Sequence, residues 1–148
     1  MAQYLGTVKL GGFYNNGAIL KRPTRPWRID STPPGASDYG DIPSMSGSMA
    51  NYTFGNTPSD DANKLQWVKI KDGDKTLLIC DRVILVNVSW DDLNGQGYVT
   101  GKTVIIDGAK YKCRLLTGGS NYRNGDSYAG GSPTNNEWDR FITREEVI

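Results

Sequence analysis

The chain of 148 residues contains no histidine. That removes Ser-His-Asp and Cys-His catalytic arrangements and every imidazole-ligated metal site. Acid–base chemistry would have to rest on Asp, Glu, Lys or Tyr. Cysteine is scarce too, with Cys80 and Cys113 alone. Two thiols without an imidazole make a poor zinc set. Both lie in apolar, strand-like stretches and read as buried thiols acting as small hydrophobes. The alternative is a disulfide between neighbouring strands, which needs suitable geometry and an oxidising compartment. No apolar run approaches a membrane span, and no charged-then-apolar leader opens the chain. Synthesis in the cytoplasm is therefore expected, with no membrane partner.

Charge of one sign is also missing as a long block. The formal net charge of +1 hides bands: residues 1–30 hold five basic side chains and one acidic, and 31–63 hold four acidic and no basic. None is dense enough for a nucleic-acid-binding arm, so no nucleic-acid partner is expected. What the chain does have is 18 glycines with many Asn, Ser and Asp residues, the composition of a loop-rich β protein. Its length suits one core of useful size.

The stretch 75–120 holds most of the β-branched and large aliphatic side chains. Residues 76–88 are almost continuously apolar and predict two short strands, or one long strand bent at Asp81-Arg82. Ser89 with Asp92 three positions on predicts a helix cap, and Gly95 and Gly97 limit that helix to residues near 90–94. Asp107-Gly108 between two β-rich arms predicts a type I′ hairpin. Beyond the turn, Ala109, Tyr111, Cys113 and Leu115 should face the core, with Lys110, Lys112 and Arg114 outward.

Upstream, Tyr4 to Leu10 reads as a strand weakened by Gly6, and Asn15-Asn16-Gly17 as a second tight hairpin. Lys21, Arg22, Arg25 and Arg28 surround two prolines and Trp27, so this segment is extended. Basic residues interleaved with an aromatic could hold a phosphate or a stacked base; packing of Trp27 onto the protein is the alternative. Residues 30–62 carry few core-forming side chains. The expected organisation is an irregular arm with short strands over 1–63 and a globular β-rich part over 64–148. Residues 64–71 alternate as a strand, turning at Asp72-Gly73-Asp74. The fold class is mainly β (α+β): a small antiparallel sheet with hairpins, the short helix near 90–94 and a C-terminal helix near 135–142. Thr134 and Glu137 would cap that last helix, with Trp138, Phe141 and Ile142 as its buried stripe.

Residues 117–133 form a polar loop with Tyr122, Arg123 and Tyr128 among glycines. Tyr, Ser, Gly and Asn suit adaptable recognition loops, because Tyr offers large area with few rotors. A structural loop with its tyrosines tucked back is the alternative. Asn124 and Asp126 could offer oxygens to Ca²⁺, yet no EF-hand pattern is present. No cofactor is expected.

The motifs around Ser89 to Asn94, Gly101-Lys102 with Ile106-Asp107-Gly108, residues 113–123 (CRLLTGGSNYR) and residues 134–142 (TNNEWDRFI) resemble phage and prophage proteins of Firmicutes. Longer relatives of that group are similar to C-type-lectin-like domains of the formylglycine-generating type. The resemblance covers 89–142 and implies the N-terminal half of such a domain. Those relatives continue into a Trp- and Arg-rich second half that carries the catalytic cysteines of the formylglycine-generating enzymes. That activity is therefore not expected here.

Three functions remain in view. The first is a non-enzymatic phage structural or accessory protein, working by self-association or by binding other phage proteins or a glycan, made in the host cytoplasm or carried on the virion. The second is a binder of a small nucleotide-like anion that counters host defence. The basic face of Lys110, Lys112 and Arg114, with Arg123 and Tyr122 nearby in sequence, could supply its charge and stacking; the candidate ligand- or partner-binding residues are Tyr122, Arg123, Tyr128, Arg114, Lys112 and Trp27. The third, an enzyme built on Asp91 and Asp92 or Asp72 and Asp74, lacks any evident partner base.

Overall fold

The structure, a computed structural model, describes residues 2–24, 41–116 and 137. Its strands are β1 (Ala2–Lys9), β2 (Gly12–Asn15), β3 (Ala18–Ile19), β4 (Tyr52–Gly55), β5 (Gln66–Asp72), β6 (Lys75–Cys80), β7 (Lys102–Ile106) and β8 (Ala109–Cys113), joined by the α-helix α1 (Trp90–Gly95) and short 3-10 turns at Met49–Asn51 and Asp61–Asn63. The strands form three small antiparallel sheets, ordered β1-β5-β6, β3-β2-β4 and β7-β8. The expected mainly β class is what the chain adopts.

Tight turns set the local pairings. Asn16 and Gly17 have φ of 51° and 82°, and Asp107 and Gly108 have 52° and 84°. Positive φ at both central residues is the type I′ pattern, whose twist matches that of the flanking strands. Val104 therefore pairs with Tyr111 and Ile106 with Ala109, with Val104 and Ile106 turned into the core. At the β5–β6 hairpin the loop is Gly73-Asp74, and Gly73 has φ of 61°.

Ser89 caps α1 by accepting a hydrogen bond from the Asp92 N–H at 3.0 Å. At the other end, Tyr98 N–H donates to Leu93 O and Gly97 N–H to Asn94 O, each at 3.0 Å. This is a Schellman closure, with glycine at the left-handed position. It turns Tyr98 into the core beside Leu93.

The core gathers Phe13, Met49, Tyr52, Leu65 and Tyr98, ringed by Phe54, Trp67, Leu93 and Cys113. Its aromatics meet at 4.9 Å for Phe13–Phe54 and 6.0 Å for Phe54–Tyr98, the offset and edge-on spacings that aromatic quadrupoles favour. Trp67 turns one face of β5 to this cluster. Ile70, of opposite parity on the same strand, is 2% exposed and sits between Tyr4 and Leu77.

One expectation needs correction. The apolar run 76–88 is a strand only as far as Cys80. The chain bends at Asp81-Arg82, and beyond it Val86 makes an isolated parallel bridge to Ser44. A buried ion pair at the bend and a positive φ of 60° at Asn87 stop the ladder from continuing. Across residues 63/64, β1 pairs with β5, Leu10 N–H donates to Leu65 O at 2.9 Å and Leu65 N–H donates to Gly11 O at 3.0 Å. Phe13 and Tyr52 reach the core because it is completed by strands far apart in sequence. The C-terminal helix expected near 135–142 lies outside the described residues except at Glu137, which is helical and buried.

Candidate binding surfaces

The β7–β8 hairpin carries the expected basic face. Its tip is clamped. The Asp107 carboxylate accepts from the Thr57 N–H at 2.9 Å and the Thr57 hydroxyl at 2.6 Å. Asn56 Oδ1 in turn accepts from the Asp107 N–H at 2.8 Å, and Thr57 Oγ1 from the Gly11 N–H at 2.7 Å. These donors hold the Asp107 carboxyl below the usual carboxylate range, the hydroxyl having the largest effect.

From this fixed tip, Thr103, Ile105, Lys110 and Lys112 all turn outward as the alternation requires, and Ile105 is 56% exposed. Lys112 lays its stem over Gly101, where any larger side chain would collide with it. Lys102 places its ammonium 5.0 Å from the Tyr98 ring centre, a cation–π contact. Lys110 and Lys112 have no acidic partner among the described residues.

Arg114 does not belong to that free basic face. Its guanidinium forks onto the Glu137 carboxylate at 2.5 and 2.7 Å and also donates to Leu115 O at 3.0 Å. Glu137 is 8% exposed, so the acceptor is a buried carboxylate, and its hydrogen bond raises the Arg114 pKa further. Of the other expected site residues, Trp27, Tyr122, Arg123 and Tyr128 lie outside the described residues, as do Asn124 and Asp126.

The basic stretch near Trp27 begins with a structural cation. Arg22 donates to Lys64 O at 2.6 Å and Asp61 O at 3.1 Å, tying the strand-like entry to the β4–β5 connection. Asp61 also receives both oxygens' worth of contact from Lys9, at 2.8 and 3.0 Å. Close by, Asp81 is 6% exposed, with Oδ1 2.7 Å from Arg82 Nη1. The two form an ion pair between nearly buried side chains. Arg82 Nε donates to Pro23 O at 2.8 Å. Burial pushes the Asp81 carboxyl up, while Arg82 opposes that shift.

The carboxylates weighed for catalysis lie in a first helical turn and at a hairpin turn. Asp91 and Asp92 are exposed in the first turn of α1, Asp72 ends β5 and Asp74 lies in the β5–β6 loop. No cluster of three or more His, Cys, Asp or Glu side chains able to hold a metal occurs among the described residues. No helix among them is long and apolar enough to cross a membrane.

A second surface escaped the sequence reading. Among the described residues β1 is the outermost strand of its sheet, and Tyr4 and Leu5 on it are 49% and 44% exposed. A bulge between Tyr4 and Thr7 places Leu5 and Gly6 opposite the single residue Lys69. The signal in the sequence was the pair of large apolar residues beside a glycine, which is what a bulged edge carries. No protein-family model, curated protein or solved structure matches this chain.

Proposed function

We propose that the chain is a non-enzymatic structural or accessory protein, of the phage-encoded kind its motifs resemble, that works by binding protein through the outer edge of β1. The observation that carries this is the exposure of Tyr4 and Leu5 on an outermost strand. An open strand edge offers unpaired N–H and C=O groups, and exposed apolar side chains beside it add area for a partner. The described ionic groups support the same reading, since Asp61, Asp81, Arg22, Arg82 and Arg114 are spent on holding segments together. The test is a benzophenone side chain in place of Thr7, which is exposed on β1, photolysed in cells that make the protein. Covalent adducts to protein are expected; no adduct would remove the reading.

A second reading has its own observation. Lys110 and Lys112 stand exposed and unpaired among the described residues on a rigidly held hairpin, which suits a small anion. A thermal-shift screen with nucleotides tests it: a ligand that binds the folded form raises the melting temperature as its concentration exceeds Kd.

A further inference from the structure

We infer that the partner of β1 is β1 of a second copy of this chain, paired antiparallel about a two-fold axis at Leu5. This deepens the reading of β1 as the interaction edge and rests on it.

The first ground is charge. Residues 2–8 of β1 carry no ionisable group apart from the tyrosine hydroxyl, and the next residue, Lys9, is held by Asp61 at 2.8 Å. Natural sheets protect an outer strand with charge, proline or a bulge. β1 has a bulge, and its single charge lies at its end, so its centre is neutral. A two-fold contact sets a residue against itself or its near neighbours, so any charge at the centre would repel its own copy. The neutral run 2–8 is centred on residue 5, and an axis there gives the longest overlap with no like charges opposed.

The second ground is space. Gly6 has φ of +101°, and a Cβ built on it would meet nothing within 4 Å. Its backbone is therefore open to close approach by another chain. With the axis at Leu5, Tyr4 of one copy faces Gly6 of the other. A related contact occurs within the fold on the diagonal of a strand pair, where the Tyr14 ring covers Gly55 so closely that a Cβ there would lie 2.9 Å from it. An aromatic ring over a glycine on a neighbouring strand shields backbone that glycine leaves bare.

The contact is small. Eight extended residues span about 27 Å, and the bulge interrupts the ladder. The interface falls below the size of a stable dimer, so association belongs in the micromolar range or weaker, roughly 10 to 1,000 μM.

Sedimentation equilibrium of the full chain from about 5 μM to 1 mM, a range that brackets that estimate, tests this. The wild-type protein should pass from monomer to dimer across it. Leu5→Lys and Leu5→Glu should each stay monomeric, and an equimolar mixture of the two should dimerise, because the axis sets the two charges against each other. A wild-type protein monomeric throughout, charge variants that still dimerise, or a mixture that does not recover would each overturn the inference. A wild-type monomer whose residue 7 crosslinks to a different protein would overturn the second copy and leave the interaction edge standing. A monomer giving no adduct would remove both.

Discussion

Asp107 and Thr57 are joined twice, through the Thr57 N–H and through its hydroxyl, and this double contact fixes the tip of one hairpin to the loop after β4. Asp107 also adopts the left-handed φ of 52° that the turn demands, a region Asp and Asn tolerate better than other non-glycine residues.

Replacing Asp107 with Asn keeps the turn preference and removes the charge. Because the folded-state pKa of Asp107 is depressed, its contribution is fully present above the ordinary carboxylate value of about 3.9 and is lost as pH falls below it. The expected outcome is a lower urea midpoint for Asp107→Asn at pH 7 and a smaller loss of stability than wild type between pH 5 and 2, values that bracket that ordinary pKa. Thr57→Val, which removes the hydroxyl and keeps the amide, should shift the pH 7 midpoint in the same direction by less.

The buried pair at the β6 bend behaves differently. Asp81 is desolvated and its pKa is raised, so its stabilising contribution is full below the ordinary value and is lost as pH rises through the raised one. Removing it nevertheless leaves the Arg82 guanidinium, 10% exposed, without its counter-charge. Asp81→Ala should therefore cost about 3–5 kcal/mol at pH 7, the usual penalty for orphaning a buried charge. The double change Asp81→Ala with Arg82→Met should recover most of that, less the bond from Arg82 to Pro23 O. Chemical denaturation of both variants checks the difference.

Turn and cap chemistry was legible because it is local. Asn16-Gly17, Gly73 and Asp107-Gly108 make their turns, and Ser89 makes its cap, from side chains within four residues of one another. Whether Cys80 and Cys113 are joined was not legible from the apolar residues beside them; in the structure they form no disulfide. The pairing of β1 with β5 was not, because about sixty residues separate Val8 from Trp67 and the bulge at Leu5-Gly6 breaks the alternation that marks a strand. Asp81-Arg82 was legible as a bend, yet nothing local distinguishes a solvated acidic–basic pair from a buried one. The basic face of β8 was read from alternation alone, which gives the side of the strand but not the partner that Arg114 finds 23 residues further along.

Burial sets the chemistry of the two thiols. It pushes Cys80 up to about 12 and Cys113 up to about 11. The thiolate is the nucleophile, so both should resist iodoacetamide in the native protein at pH 8 and both should react once the chain is unfolded in urea. The same shifts predict alkaline weakening. Groups with raised folded pKa values stabilise below the unfolded value, here about 9, and lose that contribution as pH rises through the folded values. Cys80→Ala should flatten the decline in stability between pH 9 and 11, a window that runs from the unfolded value towards the folded ones. Mass spectrometry of alkylated protein and denaturation at alkaline pH read the two effects.

Arg114 and Glu137 give the sharpest separation between the structural and the ligand-binding roles of the basic hairpin. A guanidinium presents two parallel N–H groups to a carboxylate, and an ammonium on the same strand cannot reproduce that fork. Arg114→Lys keeps the charge on β8 and breaks the geometry, whereas Glu137→Gln keeps the shape and removes the counter-charge. Each should lower stability by about 1.5–3 kcal/mol, the range for hydrogen bonds to charged groups. The two changes together should cost clearly less than their sum, since the second removes a contact already lost. Lys112→Ala should leave stability nearly unchanged, because its ammonium is exposed and has no acidic partner among the described residues. If an anion does bind the hairpin, Lys112→Ala should weaken it while Arg114→Lys, measured well below its melting temperature, should not. The reverse result would show the guanidinium leaving Glu137 to meet the ligand, and would return Arg114 to the binding face.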